Sequence, residues 1–361
     1  MSDLHLDGEL AALGWTPDLA AGLDALDRPD LVPARVVAVH RGRLALAGPG
    51  VPEHGAASGR LRHAAATAAD LPAVGDWVAV AGDGVVHALL PRRGGIARSA
   101  REGRAEPQVL AANVDVALVV GSLNRDLNLR RLERFLTLAA EALAEPVVLL
   151  SKADLAPDHA ARALDVRAAL GATAPVLAVS VRDGTGIEAL GAWLRPGRTA
   201  VLLGSSGVGK TSLLNHLTGA ARPTLPVRAG DDRGRHATSH RELVVLAGGA
   251  LVIDTPGLRL PRLWEQASGL DAAFADVAAL AARCRFRDCT HRGEPGCAVA
   301  EAVAAGRLPA ERLAGLEKLA REAAWIEARR DARARSERKR DVKRVHKAQR
   351  RHYRDQDRDG P

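Results

Sequence analysis

The stretch TAVLLGSSGVGKTS, residues 199–212, constrains the fold of this chain more than any other. Its apolar run reads as a buried strand. Gly204, Gly209, Lys210 and Thr211 then fit G-x-x-x-x-G-K-[ST] at the point where a strand gives way to a helix. In that setting the backbone N–H groups of the loop, with Ser205, Ser206, Gly207, Val208 and Ser212 completing it, converge on a phosphate at a helix N-terminus. Lys210 reaches the outer phosphate oxygens and the Thr211 hydroxyl ligates Mg²⁺.

Other segments supply the remaining parts of a nucleotide site. LVIDTPG ends a second buried strand, with Asp254 as the metal-side carboxylate and Gly257 as a backbone donor to a terminal phosphate. In EPVVLLSKAD, Asp154 is placed to accept both the N1–H and the exocyclic amine of guanine, whereas the N1 acceptor of adenine would repel it. A helix N-cap is the alternative role for this aspartate. SVRDGTG favours the base reading, because Ser180 and its neighbouring amides end a strand at a suitable spacing to meet a guanine carbonyl. The order is unusual, since the base-reading segments precede the phosphate loop.

Around these motifs the pattern changes three times. Residues 1–32 form a short N-terminal segment that packs onto something else. Residues 33–104 alternate in short runs broken by Gly and Pro, such as ARVVAVHRGRLALAG and VGDWVAVAGDGVVHALL, which predicts an OB-type barrel of five antiparallel strands. Residues 105–264 alternate buried strands with amphipathic helices, as a three-layer α/β domain does, and LVVLAGGALVID carries a Gly-Gly hairpin turn. Residues 265–361 hold a Cys/His cluster, a helical region with Leu313, Leu316 and Leu319 on one stripe, and a basic tail.

The composition sharpens several of these readings. Among 45 arginines there are 6 lysines, and only Lys152 and Lys210 precede the C-terminal helical region. Both fall in nucleotide motifs, where a compact ammonium fits between phosphates better than a planar guanidinium. All three cysteines lie within fourteen residues, and Cys284, Cys289, His291 and Cys297 make the Cys₃His set of a closed structural zinc site. Unliganded cysteines are the alternative. Of the net charge of +8, residues 329–354 carry +10 (13 Arg/Lys against 3 Asp/Glu), so the excess belongs to the tail and fits a polyanion. The barrel segment adds Arg35, Arg41, Arg43, Arg60 and Arg62 but little aromatic surface beyond Trp77 for stacking bases, so contact with folded RNA through phosphates and shape is expected. No apolar run is long enough for a membrane span and the first residues lack a leader pattern, which predicts a soluble, cytoplasmic chain.

In order, SKAD, SVRDG, GSSGVGKTS, GRHATS and DTPG, together with the preceding barrel, the phrase QVLAANVDVALVV and the spacing C-x4-C-x-H-x5-C, resemble the circularly permuted GTPases of the ribosome small-subunit-dependent GTPase A family. The resemblance spans nearly the whole chain. It implies a GTP hydrolase of late 30S subunit maturation that is stimulated by the subunit, contacts 16S rRNA as a monomer, and holds one zinc per chain and Mg²⁺ with GTP or GDP. GRHATSHREL resembles the family's G-x-H-T-T-T loop, with Ala237 in place of one threonine; this implies Thr238 as the switch residue at Mg²⁺ and His236 as the group that orients the attacking water, with His240 a weaker rival. Leu258 follows D-x-x-G, where many GTPases carry a water-orienting glutamine. Position 151 departs from the family, which has asparagine where this chain has Ser151. Permutation makes the nucleotide-sensing segments, roughly 228–241 and 254–262, run directly into the metal cluster. Two other functions are compatible with parts of the pattern: an ATP-dependent P-loop enzyme, against which Asp154 argues, and an RNA-binding module whose catalytically weak site only senses the nucleotide.

Overall fold

A computed structural model of the chain describes residues 3–99, 107–124, 127–219, 241–255, 268–325 and 328. Helices α1 (Asp3–Ala12) and α2 (Pro17–Asp24) precede strands β1 (Val32–His40), β2 (Arg43–Ala47) and β3 (His54–Ala57); helix α3 (Gly59–Ala64) then leads to β4 (Trp77–Val80) and β5 (Val85–Leu89). The five strands close on themselves. β1 pairs with β2 and β4, β2 with β3, and β4 with β5, all antiparallel, while β3 meets β5 in parallel. The alternation read in the sequence is the inside-outside alternation of this barrel: Ala34, Val36, Leu44, Leu46, Val78, Val80 and Val86 fill its interior.

Trp77 and Arg35 do not face RNA, which corrects their sequence reading. Leu10 and Leu19 of the N-terminal helices pack with Trp77, Ala79 and Leu90, and Trp15 meets Trp77 edge-on with ring centroids 4.7 Å apart. Trp77 is fully buried because the N-terminal segment lays a second layer over the outer face of β4. Arg35, 1% exposed, donates from Nη1 to the Leu13 carbonyl (3.0 Å) and from Nη2 to the Asn113 carbonyl (3.4 Å) and Thr199 Oγ1 (3.1 Å). Its guanidinium lies 5.4 Å from the Trp77 ring centroid. Burial pushes its pKa down to about 10, opposed by Asp115 and Asp76, so the charge survives at neutral pH. Arg41, Arg43, Arg60 and Arg62 remain exposed.

A hairpin of β6 (Gly95–Ser99) and β7 (Pro107–Ala112) follows the barrel. Next come β8 (Val116–Ser122), α4 (Leu129–Glu141), β9 (Glu145–Ser151), α5 (His159–Ala169), β10 (Val176–Ala178), β11 (Thr199–Leu203), α6 (Lys210–Thr218), β12 (Glu242–Val245) and β13 (Leu251–Asp254). They form a sheet in the order β10-β9-β8-β11-β13-β12, parallel except for β12. β8 and β11 are buried along their whole length, which explains their unbroken apolar sequences. One face of the sheet packs Leu132, Phe135 and Leu136 of α4 and Val166 of α5; the other packs Leu213 and Leu214 of α6 with Leu190. The crossover after β10 is a five-residue 3₁₀ turn (Glu188–Ala192) rather than a helix, in keeping with the glycines of DGTGIEALG. At its edge the sheet does not stop: Glu242 of β12 pairs with Ala38 of β1, joining barrel and α/β domain into one eleven-stranded sheet.

The C-terminal part begins with α7 (Ser268–Ala273), α8 (Ala275–Ala281) and α9 (Ala298–Ala304), followed by α10 over 310–325. Arg312, buried in α10, bonds Glu133 Oε1 of α4 (3.1 Å), Asp276 Oδ1 of α8 (2.9 Å) and the Ala273 carbonyl (2.6 Å), with its guanidinium 4.0 Å from the Phe274 ring centroid. Arg134 of α4 and Glu322 of α10 close a second pair at 2.7 Å. Gly315 lets the helices meet, since a Cβ there would lie 2.6 Å from Glu133 Oε2. No helix among the described residues is long and apolar enough to cross a membrane. The basic tail over 329–354 lies outside the described residues.

Replacing Arg35 by Met would strip two buried acceptors, the Asn113 carbonyl and Thr199 Oγ1, and the half-buried Leu13 carbonyl of their shared cationic donor. We expect a loss of roughly 2–4 kcal/mol, read as an earlier urea midpoint in tryptophan fluorescence, because Trp15 and Trp77 flank the site.

Candidate nucleotide site and metal centre

The phosphate loop leaves β11 at Gly204, whose φ of +150° and close approach exclude a side chain: a Cβ would lie 2.5 Å from the Val120 carbonyl oxygen. Gly209, left-handed at φ +95°, caps α6 and turns its first N–H groups outward. Lys210 lies back over the loop, its Nζ donating to the carbonyls of Gly204 (2.8 Å) and Ser205 (2.7 Å). It is 6% exposed, and burial pushes its pKa down to about 8 despite the opposing charge of Asp254. Asp254 reaches this place because β13 runs parallel to β11 with Leu202 opposite Asp254. Thr255 fixes the end of that strand through Oγ1, which donates to the Leu202 carbonyl (2.5 Å). Thr211 stands in the first turn of α6, beside Lys210. A loop with these glycine conformations, a cation at its centre and a buried carboxylate alongside fits a phosphate bound with Mg²⁺; Thr211 and Asp254 are the groups that would hold the ion.

The residues expected to read a base gather at the ends of β9 and β10. Asp154 Oδ1 accepts a hydrogen bond from Ser180 Oγ (2.9 Å), Ser180 Oγ accepts from the Arg182 N–H (3.2 Å), and Arg182 Nη1 lies 3.8 Å from Asp154 Oδ2. Lys152, left-handed at φ +61°, spans to the phosphate loop and donates from Nζ to the Gly207 carbonyl (3.1 Å). Ser151 makes a second link of the same kind. Its Oγ lies 2.5 Å from the Val208 carbonyl and 2.9 Å from the Gly121 carbonyl, with one proton to share between them. The serine thus ties the base-reading loop to the phosphate loop, which is half of what an asparagine there would do; no side-chain donor is left over for the base.

Arg131 adds a contact that the sequence did not single out. In the first turn of α4, where Asn128 caps the helix by accepting from the Arg131 N–H (3.1 Å), its Nη1 donates to Ser205 Oγ (3.1 Å) in the phosphate loop. The N-cap asparagine followed by a basic pair was the available signal, but nothing local shows that the helix begins beside the loop. His236, Thr238, Gly257, His240 and Leu258 lie outside the described residues.

A separate cluster of Cys284, Cys289, His291 and Cys297 brings four ligand atoms within 4.8 Å of one another. Cys284 Sγ is 3.9 Å from Cys297 Sγ, and His291 Nδ1 is 3.7 and 3.5 Å from the two sulfurs. A tetrahedral zinc with Zn–S of about 2.3 Å and Zn–N of about 2.0–2.1 Å requires S···S of about 3.8 Å and S···N of about 3.5–3.6 Å. The cluster fits one structural zinc. Cys297 also begins α9, its Sγ accepting from the Ala300 N–H (3.3 Å), and Glu294 braces the loop by accepting from the Thr290 and Arg292 N–H groups.

A family model for the RsgA GTPase matches residues 89–264. The small ribosomal subunit biogenesis GTPase RsgA of Opitutus terrae is 46% identical over 357 residues, covering 94% of this chain and 97% of that protein. The chain belongs to the RsgA GTPase family. The crystal structure of YjeQ from Thermotoga maritima, 26% identical, aligns with a TM-score of 0.62 over 81% of this chain and 99% of that one. YloQ, described as a circularly permuted GTPase, is 23% identical and shares the fold with a TM-score of 0.58 over 84% of this chain and 97% of its own. Permutation accounts for the sheet order: the P-loop strand β11 sits at the centre although base-reading strands β9 and β10 precede it. As an RsgA-type GTPase the chain is a GTP hydrolase that works with Mg²⁺.

Lys210 gives a proton-linkage prediction. Its folded-state pKa is depressed to about 8, so folding favours the neutral amine and the folded protein is stabilised as pH rises from about 8 toward 10.5. A bound phosphate favours the ammonium instead. Binding of GDP at pH 8 should therefore take up roughly half a proton, measurable by calorimetry in buffers of different ionisation heat, and affinity should fall between pH 7.5 and 9. For the metal centre, we expect one zinc per chain by elemental analysis, with Cys284→Ser lowering the content.

Proposed function

We propose that this chain is a guanine-specific GTP hydrolase of small (30S) ribosomal subunit biogenesis whose turnover is accelerated by the subunit. The observation that carries the nucleotide assignment is the bridge of Ser151 and Lys152 from the Asp154–Ser180 pair to the phosphate loop: one rigid unit offers a carboxylate for the guanine edge at one end and a phosphate cradle at the other. Support for the subunit is the name carried by the Opitutus terrae relative.

In this reading Asp154 accepts from N1–H and the exocyclic amine of guanine, and Ser180 and its neighbouring amides meet the base carbonyl. Residues 204–212 wrap the phosphates, Lys210 neutralises them, and Thr211 and Asp254 hold Mg²⁺ while Gly257 donates to the γ-phosphate. Leu258 leaves the attacking water without a side-chain partner, so free turnover is slow. On docking to 16S rRNA, Thr238 meets Mg²⁺ and His236 meets the water. The barrel (33–104), the permuted GTPase domain (105–264) and the zinc-binding helical domain (265–361) all contribute to that docking, the last through a tail of +10 balance over 329–354. The protein acts in the cytoplasm as a monomer with one structural zinc.

The test is GTP turnover with and without purified 30S and 50S subunits. We expect small subunits alone to raise the rate by roughly tenfold or more, and His236→Ala to lose most of that stimulation while still binding GTP. Equal rates in all three conditions would overturn the proposal. Asp154→Asn should move the preference from guanosine to xanthosine nucleotides, because the amide donates to the 2-oxo group that replaces the amine. Unchanged GTP affinity would leave Asp154 only its hydrogen bond from Ser180.

A further inference from the structure

The loop that carries the metal cluster exposes something that neither the metal nor the nucleotide site uses. Phe286, between Cys284 and Cys289, is 42% exposed, a rare placement in a chain with only three phenylalanines. Around it Arg283, Arg285, Arg287 and Arg292 are all exposed. Of the nearby acids, Glu294 is committed to the loop's own N–H groups and the Thr290 hydroxyl, leaving Asp288 as the other counter-charge. The loop that bears the ring is tied down. Arg285 N–H donates to the Gly296 carbonyl (3.0 Å), the Arg285 stem lies against Gly296, and its guanidinium stands 5.4 Å from the Phe286 ring centroid. The Cys289 N–H donates to the Phe286 carbonyl (3.4 Å), so the backbone on both sides of the ring is fixed by the four-ligand cluster.

We propose that Phe286 is a stacking platform for an unpaired base of single-stranded RNA, with Arg283, Arg285, Arg287 and Arg292 taking the flanking phosphates. This deepens the reading of the chain as an rRNA-docking GTPase and rests on it. A duplex cannot present a base face to the ring, so the partner segment is a loop, bulge or strand end. The surrounding charge selects a polyanion over an apolar protein surface. Anchoring on both sides means that little conformational entropy is lost when a base settles on the ring. This is the inverse of the barrel, where the tryptophan is covered while Arg41, Arg43, Arg60 and Arg62 stay exposed.

Binding of the full-length protein to a fluorescein-labelled twelve-nucleotide oligoadenylate, followed by anisotropy over a range of salt concentrations, tests the proposal. Phe286→Ala should weaken binding roughly five- to 150-fold without changing the slope of log affinity against log salt, since no charge is removed. Arg287→Ala should lower that slope by about 0.7, the value for one phosphate contact on a single strand. Phe286→Trp should retain the wild-type affinity and Phe286→Leu should behave like Ala, because leucine keeps apolar area but has no π face. Wild-type affinity in Phe286→Ala, or in Phe286→Leu, overturns the proposal, the latter by showing that apolar area without a π face is enough. The zinc content of each variant reports whether its loop is intact, and comparison of Trp with Leu at equal zinc content decides the matter if Ala perturbs it. Subunit-stimulated turnover of the wild type is measured alongside. Its absence sinks the parent reading, whereas its presence with indifferent Phe286 variants sinks only the stacking.

Discussion

A buried guanidinium holds the first two-thirds of this molecule together. Taking an arginine out of water costs several kcal/mol unless its donors are met, and among the described residues the two terminal nitrogens of Arg35 are met by the turn between α1 and α2, the loop before β8 and the first residue of β11. The three parts must therefore assemble around it together. Asn113 reinforces the junction from the α/β side, its amide donating to the Gly75 carbonyl (3.1 Å) and its Oδ1 accepting from the Arg93 N–H (3.0 Å). Asp115 adds an acceptor for the Thr199 N–H at 2.8 Å. The phrase ANVD is thus a joint rather than a strand leader, and the phosphate loop grows from the strand that the joint secures.

Helix α4 plays the corresponding part on the other side of the sheet. Within four residues it touches the phosphate loop through Arg131, the buried Arg312 through Glu133, and the surface of α10 through Arg134. The region with the Cys/His cluster is therefore fastened to the nucleotide site twice: covalently, through the segment after Asp254, and by side chains along one helix.

The motif residues were legible because phosphate and base chemistry leave few residue types free at those spacings. The barrel was legible because strand alternation is a direct record of inside and outside. Arg35 and Trp77 were misread for one reason: the strand pattern reports that one face is buried but not that a second layer, α1 and α2, covers the other. β4, buried at every position, carried the warning. Hydrophobic pattern could not reveal Arg131 beside Ser205 or the Glu133–Arg312 pair, because contacts between residues 74 and 179 positions apart follow from topology alone. Ser151 sits between these cases. Its departure from asparagine was visible, while its retention of the bridge to the phosphate loop depends on a 2.5 Å approach that only the folded sheet provides.

The pairing of β1 with β12 makes the barrel a brace. β12 is the strand into which the 228–241 segment feeds, and it is clamped between β13, which ends at Asp254, and β1, which continues into the barrel wall. Arg35, three residues from the seam on β1, pins the same strand a second time, to Asn113 and Thr199 of the α/β domain. A shift of β12 therefore meets a strand fastened at two places, and the barrel wall stiffens the phosphate end of the sheet as a buttress stiffens a wall.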